Sequence, residues 1–105
     1  LVRVHYASDR DMETWARRMF YDIDPKARRR VVAEFALDVK PKVRGVPESL
    51  TPQEVAKYVF VGFSGVGPPL AAFRKAGVRH MTVGDVVEVD GVKFLRTLTG
   101  FERIP

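Results

Sequence analysis

The sequence predicts an α+β fold in which a β-α-β-α segment is followed by a C-terminal antiparallel β-meander. Three observations predict it: an alternating apolar pattern at the N-terminus, helical periodicity behind helix-start signals, and an Asp90-Gly91 pair between two valine-rich segments. We expect a single layer of helices on a mixed or antiparallel sheet. Because 105 residues is about the length of one domain, residues 1–105 are predicted to form a single domain.

The first strand and helix are predicted from hydrophobic periodicity. Apolar and polar side chains alternate over residues 1–6, as in a half-buried strand. Ser8 is a suitable N-cap for a helix over residues 9–21. Its apolar face is predicted to consist of Met12, Trp15, Met19, Phe20 and Ile23. Asp24-Pro25 is expected to open a short helical turn.

The middle of the chain contains one ambiguous segment and two helix signals. Residues 31–39 fit both a helical stripe and strand alternation, and their β-branched content together with Lys40-Pro41 favours a strand. Residues 41–49 are predicted to form a loop. Thr51-Pro52 and the acid that follows are typical of a helix start. Residues 70–76 are expected to add one or two helical turns.

The C-terminal third predicts a β-meander. Residues 85–89 and 92–98 flank Asp90-Gly91, which favours a type I′ turn. The resulting register predicts two apolar pairs and two pairs of opposite charge: Val89 with Val92, Val87 with Phe94, Glu88 with Lys93, and Asp85 with Arg96. Thr99-Gly100 is expected to turn the chain into a third strand over residues 101–104.

The basic residues are the candidate functional residues. The formal net charge of +5 attracts nucleic acid, anionic lipid or an acidic protein surface, unless it serves only solubility. The candidates, which lie in predicted loops or near element ends, are Arg28, Arg29, Arg30, Lys40, Lys42, Arg44, Arg74, Lys75, Arg79 and His80. On one face they would contact phosphates, with Tyr21, Phe63 and Phe73 stacking bases if exposed. The alternative is that they are solvated ends of helices and strands.

No catalytic residues, metal site, cofactor or small-molecule substrate are predicted. The absence of cysteine excludes disulfides, thiolate chemistry and cysteine-ligated metals. His5 occupies a strand position and His80 a loop, which favours structural roles over an acid–base pairing of His80 with Asp85 or Ser64. The glycine-rich residues 62–67 are followed by Pro68-Pro69 rather than the Lys-Ser/Thr of a phosphate-binding loop. Helix ends, turns and cross-strand pairing account for the carboxylates that are candidates for binding a divalent ion, which are Asp22, Asp24, Asp85, Glu88 and Asp90.

The chain contains no apolar run near the roughly 20 residues needed to cross a bilayer. The N-terminus also lacks the hydrophobic region of a signal peptide. We therefore expect a soluble cytoplasmic protein with no membrane contact.

One segment resembles a known signature. Arg79-His80-Met81-Thr82-Val83-Gly84-Asp85-Val86-Val87, followed by Asp90-Gly91 and Thr99-Gly100-Phe101, resembles the R-S-x-S-V-G-D-V…G…F-G-F/W pattern of small phage, plasmid and conjugative-element proteins, including YodL-like domains. The resemblance implies an accessory protein of a mobile element, in the host cytoplasm if phage-encoded. The physical interpretation of the segment is structural: Gly84 permits a positive φ, Asp85 pairs locally and the valines pack.

The leading hypothesis is a non-enzymatic protein that binds nucleic acid or a host nucleic-acid machine, possible roles including inhibition of a host defence complex. Its alternative is a protein–protein interaction module that binds an acidic partner without touching nucleic acid. A third class is an enzyme, of which a nuclease with carboxylates at Asp85, Glu88 and Asp90 is the least implausible form.

Overall fold

A computed structural model describes residues 1–37, 50–67 and 69–105 of the chain. The elements within these ranges are β1 (Val2–Ala7), α1 (Asp9–Arg17), β2 (Arg29–Phe35), α2 (Pro52–Gly62), α3 (Leu70–Ala76), β3 (Val86–Val89), β4 (Val92–Arg96) and β5 (Phe101–Ile104). The five strands form one sheet in the order β2-β1-β3-β4-β5, with antiparallel neighbours. The predicted α+β fold with a C-terminal meander is confirmed, and of the two predicted sheet types it is the antiparallel one.

The main core lies between the sheet and helices α2 and α3. We call this side of the sheet the helix face; its side chains include Val2 and Val4 of β1 and Val87 of β3, all at most 2% exposed. Phe63, at the end of α2, is fully buried and stacks on Phe35 of β2 with ring centroids 6.1 Å apart. Alternate residues of the same strands point to the opposite side, which we call the second face.

Helix α2 begins at the predicted residue, and α3 covers the predicted residues 70–76. Thr51 and Glu54 form a capping box at the start of α2, in which each side chain accepts a hydrogen bond from the other residue's backbone N–H. Gly77, with φ of 62°, ends α3 in the left-handed conformation. No helix of the described ranges is long and apolar enough to cross a membrane.

Helix α1 is shorter than the predicted residues 9–21, because it ends at Arg17. The N–H of Phe20 bonds to the carbonyl of Trp15 and the N–H of Met19 to that of Ala16, which is the hydrogen-bond pattern of a Schellman motif. Met19 and Phe20 have φ of 54° and 60°. The predicted apolar face is wrong at Met19, which is 68% exposed, whereas Trp15 is buried.

The turn predicted at Asp24-Pro25 is present as one i→i+3 hydrogen-bonded turn that does not continue into a helix. The Asp24 carbonyl accepts from the N–H of Ala27, and its carboxylate accepts from the N–H of Lys26. β2 then begins at Arg29, two residues before the predicted start, and ends at Phe35. The end of the predicted strand, residues 38–39, and the predicted loop at residues 41–49 lie outside the described residues.

β2 contains a bulge that the predicted alternation lacks. His5 pairs with Val31 while Val4 pairs with Ala33, so Val32 is the extra residue. As a result Val32 and Ala33 both pack against the core, and Val31 is 48% exposed on the second face beside His5. The predicted strict alternation over residues 31–39 is therefore interrupted at Val32.

The hairpin has the predicted register but not the predicted ion pairs. The observed pairs include Val89 with Val92, Glu88 with Lys93 and Val87 with Phe94. The Asp85 carboxylate, however, pairs with Arg79 rather than Arg96, and Glu88 bonds to Arg3 and His5. β3 lies between β1 and β4, so a carboxylate on it has neighbours on both sides, and here β1 supplies the partners of Glu88.

Candidate nucleic-acid interface

A cleft of about 910 Å³ lies where β1 leads into α1. Its lining residues come from three segments of the chain: Tyr6, Ala7, Ser8, Asp9, Asp11, Arg28, Arg29, Arg30, Gly77, Val78 and Arg79. Two predicted basic segments that are distant in the sequence, residues 28–30 and residue 79, thus line the same cleft. We call it the arginine cleft, after Arg28, Arg29, Arg30 and Arg79.

Arg79 is fixed by internal contacts. Its guanidinium donates to both carboxylate oxygens of Asp85, at 2.7 and 3.0 Å, and to the carbonyls of Ala7 and His80. It also lies 4.2 Å above the ring of Tyr6, whose hydroxyl donates to the Arg79 carbonyl at 2.8 Å. Hydrogen bonding to Asp85 raises the pKa of Arg79. Arg79 is therefore a rigid part of the cleft wall, with its charge offset by Asp85.

Arg29 is fixed by backbone carbonyls. Its guanidinium donates to the carbonyls of Asp24, Pro25, Ala27 and Gly84, at 2.8 to 3.2 Å, and lies 5.3 Å from the ring centroid of Trp15. Burial lowers the pKa of Arg29. Arg29 thereby orders the turn between α1 and β2 and attaches it to the bend before β3.

Arg28 and Arg30 are the exposed cations of the cleft. Asp9 and Asp11 of α1 also line the cleft. Asp9 favours the charged form of Arg79 and Asp11 that of Arg29, each with a smaller effect than that of Asp85. Within residues 1–37, 50–67 and 69–105, the side chains of Arg28 and Arg30 make no hydrogen bond or ion pair. Arg30 pairs with Tyr6 across the β1–β2 ladder and so lies on the helix face, the side on which Arg79 covers Tyr6.

The other predicted binding residues have different positions. Arg74 and Lys75 are exposed in the last turn of α3, just before the Gly77-Val78 segment of the cleft, and Lys75 also faces β2 across a groove. His80 is exposed, with its ring edge-on to Phe73 at 5.3 Å. Lys40, Lys42 and Arg44 lie outside the described residues.

Of the three aromatic residues considered for base stacking, Tyr21 is available. It is 79% exposed in the segment after α1. Phe63 is fully buried, so the stacking role considered for it is wrong. Phe73 is half-buried against Phe63, with ring centroids 5.4 Å apart.

The carboxylates of the nuclease alternative are engaged in structural contacts. Asp85 is fully buried with four donors on its two oxygens, and Glu88 bonds to Arg3 and His5. Asp90 is exposed and pairs with the N-terminal amine. Among the described residues no cluster of three or more potential ligands could hold a metal ion.

The sequence interpretation did not identify Tyr6, Ser8, Asp9 and Asp11 as cleft residues. Tyr6 carried a weak signal, because it is the residue at which the predicted strand ends beside a predicted helix cap. Asp9 and Asp11 line the cleft with Arg28, Arg29 and Arg30 because of the way α1 is placed against β2. Hydrophobic periodicity does not predict that placement.

Comparison with protein-family models, curated proteins and solved structures finds no match for this chain.

Proposed function

We propose that the protein is a non-enzymatic nucleic-acid-binding protein whose contact surface is centred on the arginine cleft. The observation that carries the proposal is the convergence of residues 28–30 and residue 79, distant in the sequence, on a single cleft. Cations that lie together on one face can neutralise neighbouring phosphates of the same nucleic acid, whereas cations scattered over the surface cannot. The arrangement of these arginines in one cleft therefore favours nucleic-acid binding.

The two kinds of arginine in the cleft have complementary roles. Arg29 and Arg79 are held by internal hydrogen bonds, so they shape the walls. Arg28 and Arg30 are exposed and supply guanidiniums whose planar geometry suits bidentate contact with phosphate. Contacts of this kind position a nucleic acid without specifying its sequence. We therefore expect binding that is salt-dependent and largely sequence-independent.

The charge around the cleft supports an extended contact. Arg74 and Lys75 lie at the end of α3, next to the part of the chain that enters the cleft at Gly77. The whole chain carries a formal net charge of +5, which favours association with a polyanion. The resemblance of residues 79–101 to phage and mobile-element proteins is compatible with a target that is nucleic acid or a host nucleic-acid machine, including a defence complex that the protein inhibits.

The proposal is tested by fluorescence anisotropy with single- and double-stranded DNA and RNA over a salt series. We compare the wild type with the double variant Arg28→Ala/Arg30→Ala and with a charge-matched control, Lys57→Ala/Arg103→Ala. The control residues are exposed on α2 and on β5, the edge strand farthest from β2. Removal of two phosphate contacts should reduce the slope of log K against log salt by about 1.5. The control should retain most of the wild-type slope.

Three outcomes contradict the proposal. One is the absence of binding to all four nucleic acids at low salt. Another is an equal loss of affinity in both double variants, which would indicate diffuse charge attraction rather than a site. The third is salt-independent binding, which is not expected of phosphate contacts.

A further inference from the structure

A second, smaller cavity lies on the second face of the sheet. Its volume is about 250 Å³, and it is lined by His5, Pro25, Lys26, Ala27, Arg29, Val86, Lys93, Ile104 and Pro105. His5, Val86 and Lys93 alternate along their strands with core residues, which places them opposite α2 and α3. The turn at residues 24–27 covers one side of the cavity.

The side chains of this cavity are unusual in their charge. His5, Lys26, Arg29 and Lys93 carry nitrogen groups, and no side chain lining it among the described residues is a carboxylate. Groups of like charge repel one another in a confined space unless an anion lies between them. The positively charged wall therefore indicates that the cavity suits a small anion.

Lys93 faces the cavity without its cross-strand acid. Glu88 is opposite Lys93 in the β3–β4 ladder, but its carboxylate bonds to Arg3 at 3.2 Å and to His5 at 3.2 Å. Within residues 1–37, 50–67 and 69–105, no carboxylate lies within 4.0 Å of the Lys93 ammonium. The charge of Lys93 is thus available for a ligand.

The other cations differ in what they offer. Arg29 uses four of its five N–H groups on backbone carbonyls, so it mainly contributes positive charge. His5 contacts Glu88 through Nε2, and Nδ1 has no partner among the described residues. Lys26 is exposed at the mouth and makes no side-chain ion pair within those residues. A small anion can therefore meet the ammonium groups of Lys26 and Lys93, and it gains a third donor from His5 Nδ1 when the imidazole is protonated, because Nε2 is already paired with Glu88.

We propose that this cavity binds a phosphate group, either inorganic phosphate or the terminal phosphate of a phosphomonoester. The volume is below the roughly 300–1,000 Å³ of pockets for drug-sized ligands, which indicates a small ligand or the end of a larger one. Ammonium and imidazolium groups donate charge-assisted hydrogen bonds to the oxygens of phosphate. The site lies on the second face and does not depend on the cleft residues Arg28 and Arg30.

The test uses the full chain and inorganic phosphate as the probe, followed by NMR of backbone amides and of the His5 imidazole. Phosphate should shift signals around His5, Lys26 and Lys93 with saturation, and should raise the pKa of His5 because an adjacent anion stabilises imidazolium. Lys26→Gln/Lys93→Gln should weaken binding at least tenfold, whereas the control Lys57→Gln/Lys75→Gln on the helices should not. Thermal unfolding of each variant shows that it is folded.

A second arm separates the two sources of phosphate. An oligonucleotide with a 5′-phosphate is compared with the same oligonucleotide ending in a 5′-hydroxyl; tighter binding of the first, lost in Lys26→Gln/Lys93→Gln, identifies a phosphorylated end as a ligand. Arg28→Ala/Arg30→Ala should leave binding of inorganic phosphate unchanged, so failure of one proposal does not imply failure of the other. Phosphate shifts that do not saturate, or that persist in Lys26→Gln/Lys93→Gln, overturn the phosphate site.

Discussion

Asp85 is a buried carboxylate that joins separate parts of the chain. Its oxygens accept hydrogen bonds from Ala7 at the end of β1, from Thr82 before β3, and from both terminal nitrogens of Arg79. The carboxylate is fully buried, so these donors replace the water that it loses on folding. Asp85 therefore connects the first strand, the bend before the hairpin and the wall of the arginine cleft.

Replacement of Asp85 should destabilise the whole domain. Asp85→Ala leaves the Arg79 guanidinium without its anion and two N–H groups without an acceptor, so we expect the free energy of unfolding to fall by about 3 kcal/mol. Urea denaturation measures the change. Glu102→Ala, which removes an exposed carboxylate from β5, is the control and should change stability by less than about 0.5 kcal/mol. A similar small effect for Asp85→Ala would contradict the assigned role.

Gly84 occupies a position that excludes any other side chain for two reasons. Its φ is 100°, and a Cβ built on it would lie 2.7 Å from the ring of Trp15. Gly84→Ala should therefore lower the free energy of unfolding by about 2 kcal/mol or more. Gly77→Ala is the matched control: φ is 62° and a Cβ would meet no atom within 4 Å, so only the backbone strain of about 1 kcal/mol applies. Equal losses in the two variants would argue against the Trp15 contact.

The sequence allowed part of this chemistry to be predicted at the level of single residues. The positive φ of Gly84 and the local pairing of Asp85 were expected from the signature, and both are confirmed. The predicted ion pair of Asp85 with Arg96 was wrong. The two residues are opposite each other in the hairpin, but they are joined only by a backbone hydrogen bond from the Arg96 N–H to the Asp85 carbonyl. The register of the hairpin predicts which backbones are neighbours, but it does not fix the partner of a side chain. The Asp85 carboxylate pairs with Arg79, which lies outside the hairpin.

At the level of elements, the end of α1 shows how a helix stops without glycine. Met19 occupies the left-handed position of the Schellman motif with φ of 54°, a conformation in which an L-residue with a Cβ is strained. Because Met19 is 68% exposed, its side chain contributes little packing. The strain and the small loss of contacts together indicate that glycine would be preferred here.

Met19→Gly should accordingly raise the free energy of unfolding by about 0.5–1 kcal/mol, measured by urea or thermal denaturation. Ala16→Gly, at an exposed position inside the same helix, should lower it by about 1 kcal/mol because glycine is a poor helix former. Destabilisation by both substitutions would show that the left-handed turn is not formed in solution.

Elements defined by local signals could be predicted, whereas those shaped by the rest of the fold could not. Asp90 and Gly91 have φ of 49° and 85°, as a type I′ turn requires, and the turn set the hairpin register correctly. The Val32 bulge, by contrast, depends on how β2 pairs with β1, and the helix-like spacing that continued to Phe20 concealed the end of α1. Neither feature has a glycine or proline to mark it in the sequence.

At the level of the whole molecule, the site depends on how elements far apart in the sequence meet. The basic residues were recognised as candidates, but composition could not show which ones are exposed in the same cleft. β2 lies beside β1, and Arg79, in the segment after α3, bonds to Tyr6 and Ala7 at the end of β1. Residues 28–30 and 77–79 therefore line one cleft. In the structure, Arg29 and Arg79 form internal hydrogen bonds, whereas Arg28 and Arg30 are exposed. The sequence does not show this difference, because all four residues are arginine.

The pH dependence of global stability should report the environment of His5 on the second face. The charged groups that face it are Arg3 on β1, Lys26 and Arg29 from the turn and β2, Glu88 on β3 and Lys93 on β4. Burial lowers the pKa of His5 below its ordinary value of 6.5, with Lys93 and Arg3 acting in the same direction and Glu88 opposing them. The folded protein therefore binds a proton less readily at this site than the unfolded chain.

The sign of the stability change follows from that difference. Above about pH 7.5 the imidazole is neutral in both states, so His5 has no effect on the pH dependence. As the pH falls through 6.5, the unfolded chain takes up the proton first, and stability declines until the pH passes the lower pKa of the folded state. The pKa of Glu54 is also lowered, from 4.5 by hydrogen bonds to Thr51, but its effect belongs to more acidic solutions.

Urea denaturation from about pH 7.5 to about pH 5, in buffer without phosphate, tests this expectation. The wild type should lose stability as the pH falls, and His5→Gln should lose less, because glutamine can still donate to Glu88 but does not titrate. His80→Gln removes an exposed imidazole and should keep the wild-type profile. A wild-type profile for His5→Gln would show that His5 does not titrate differently in the two states. With phosphate bound beside the imidazole, the decline should become smaller, because the anion stabilises the protonated ring in the folded protein.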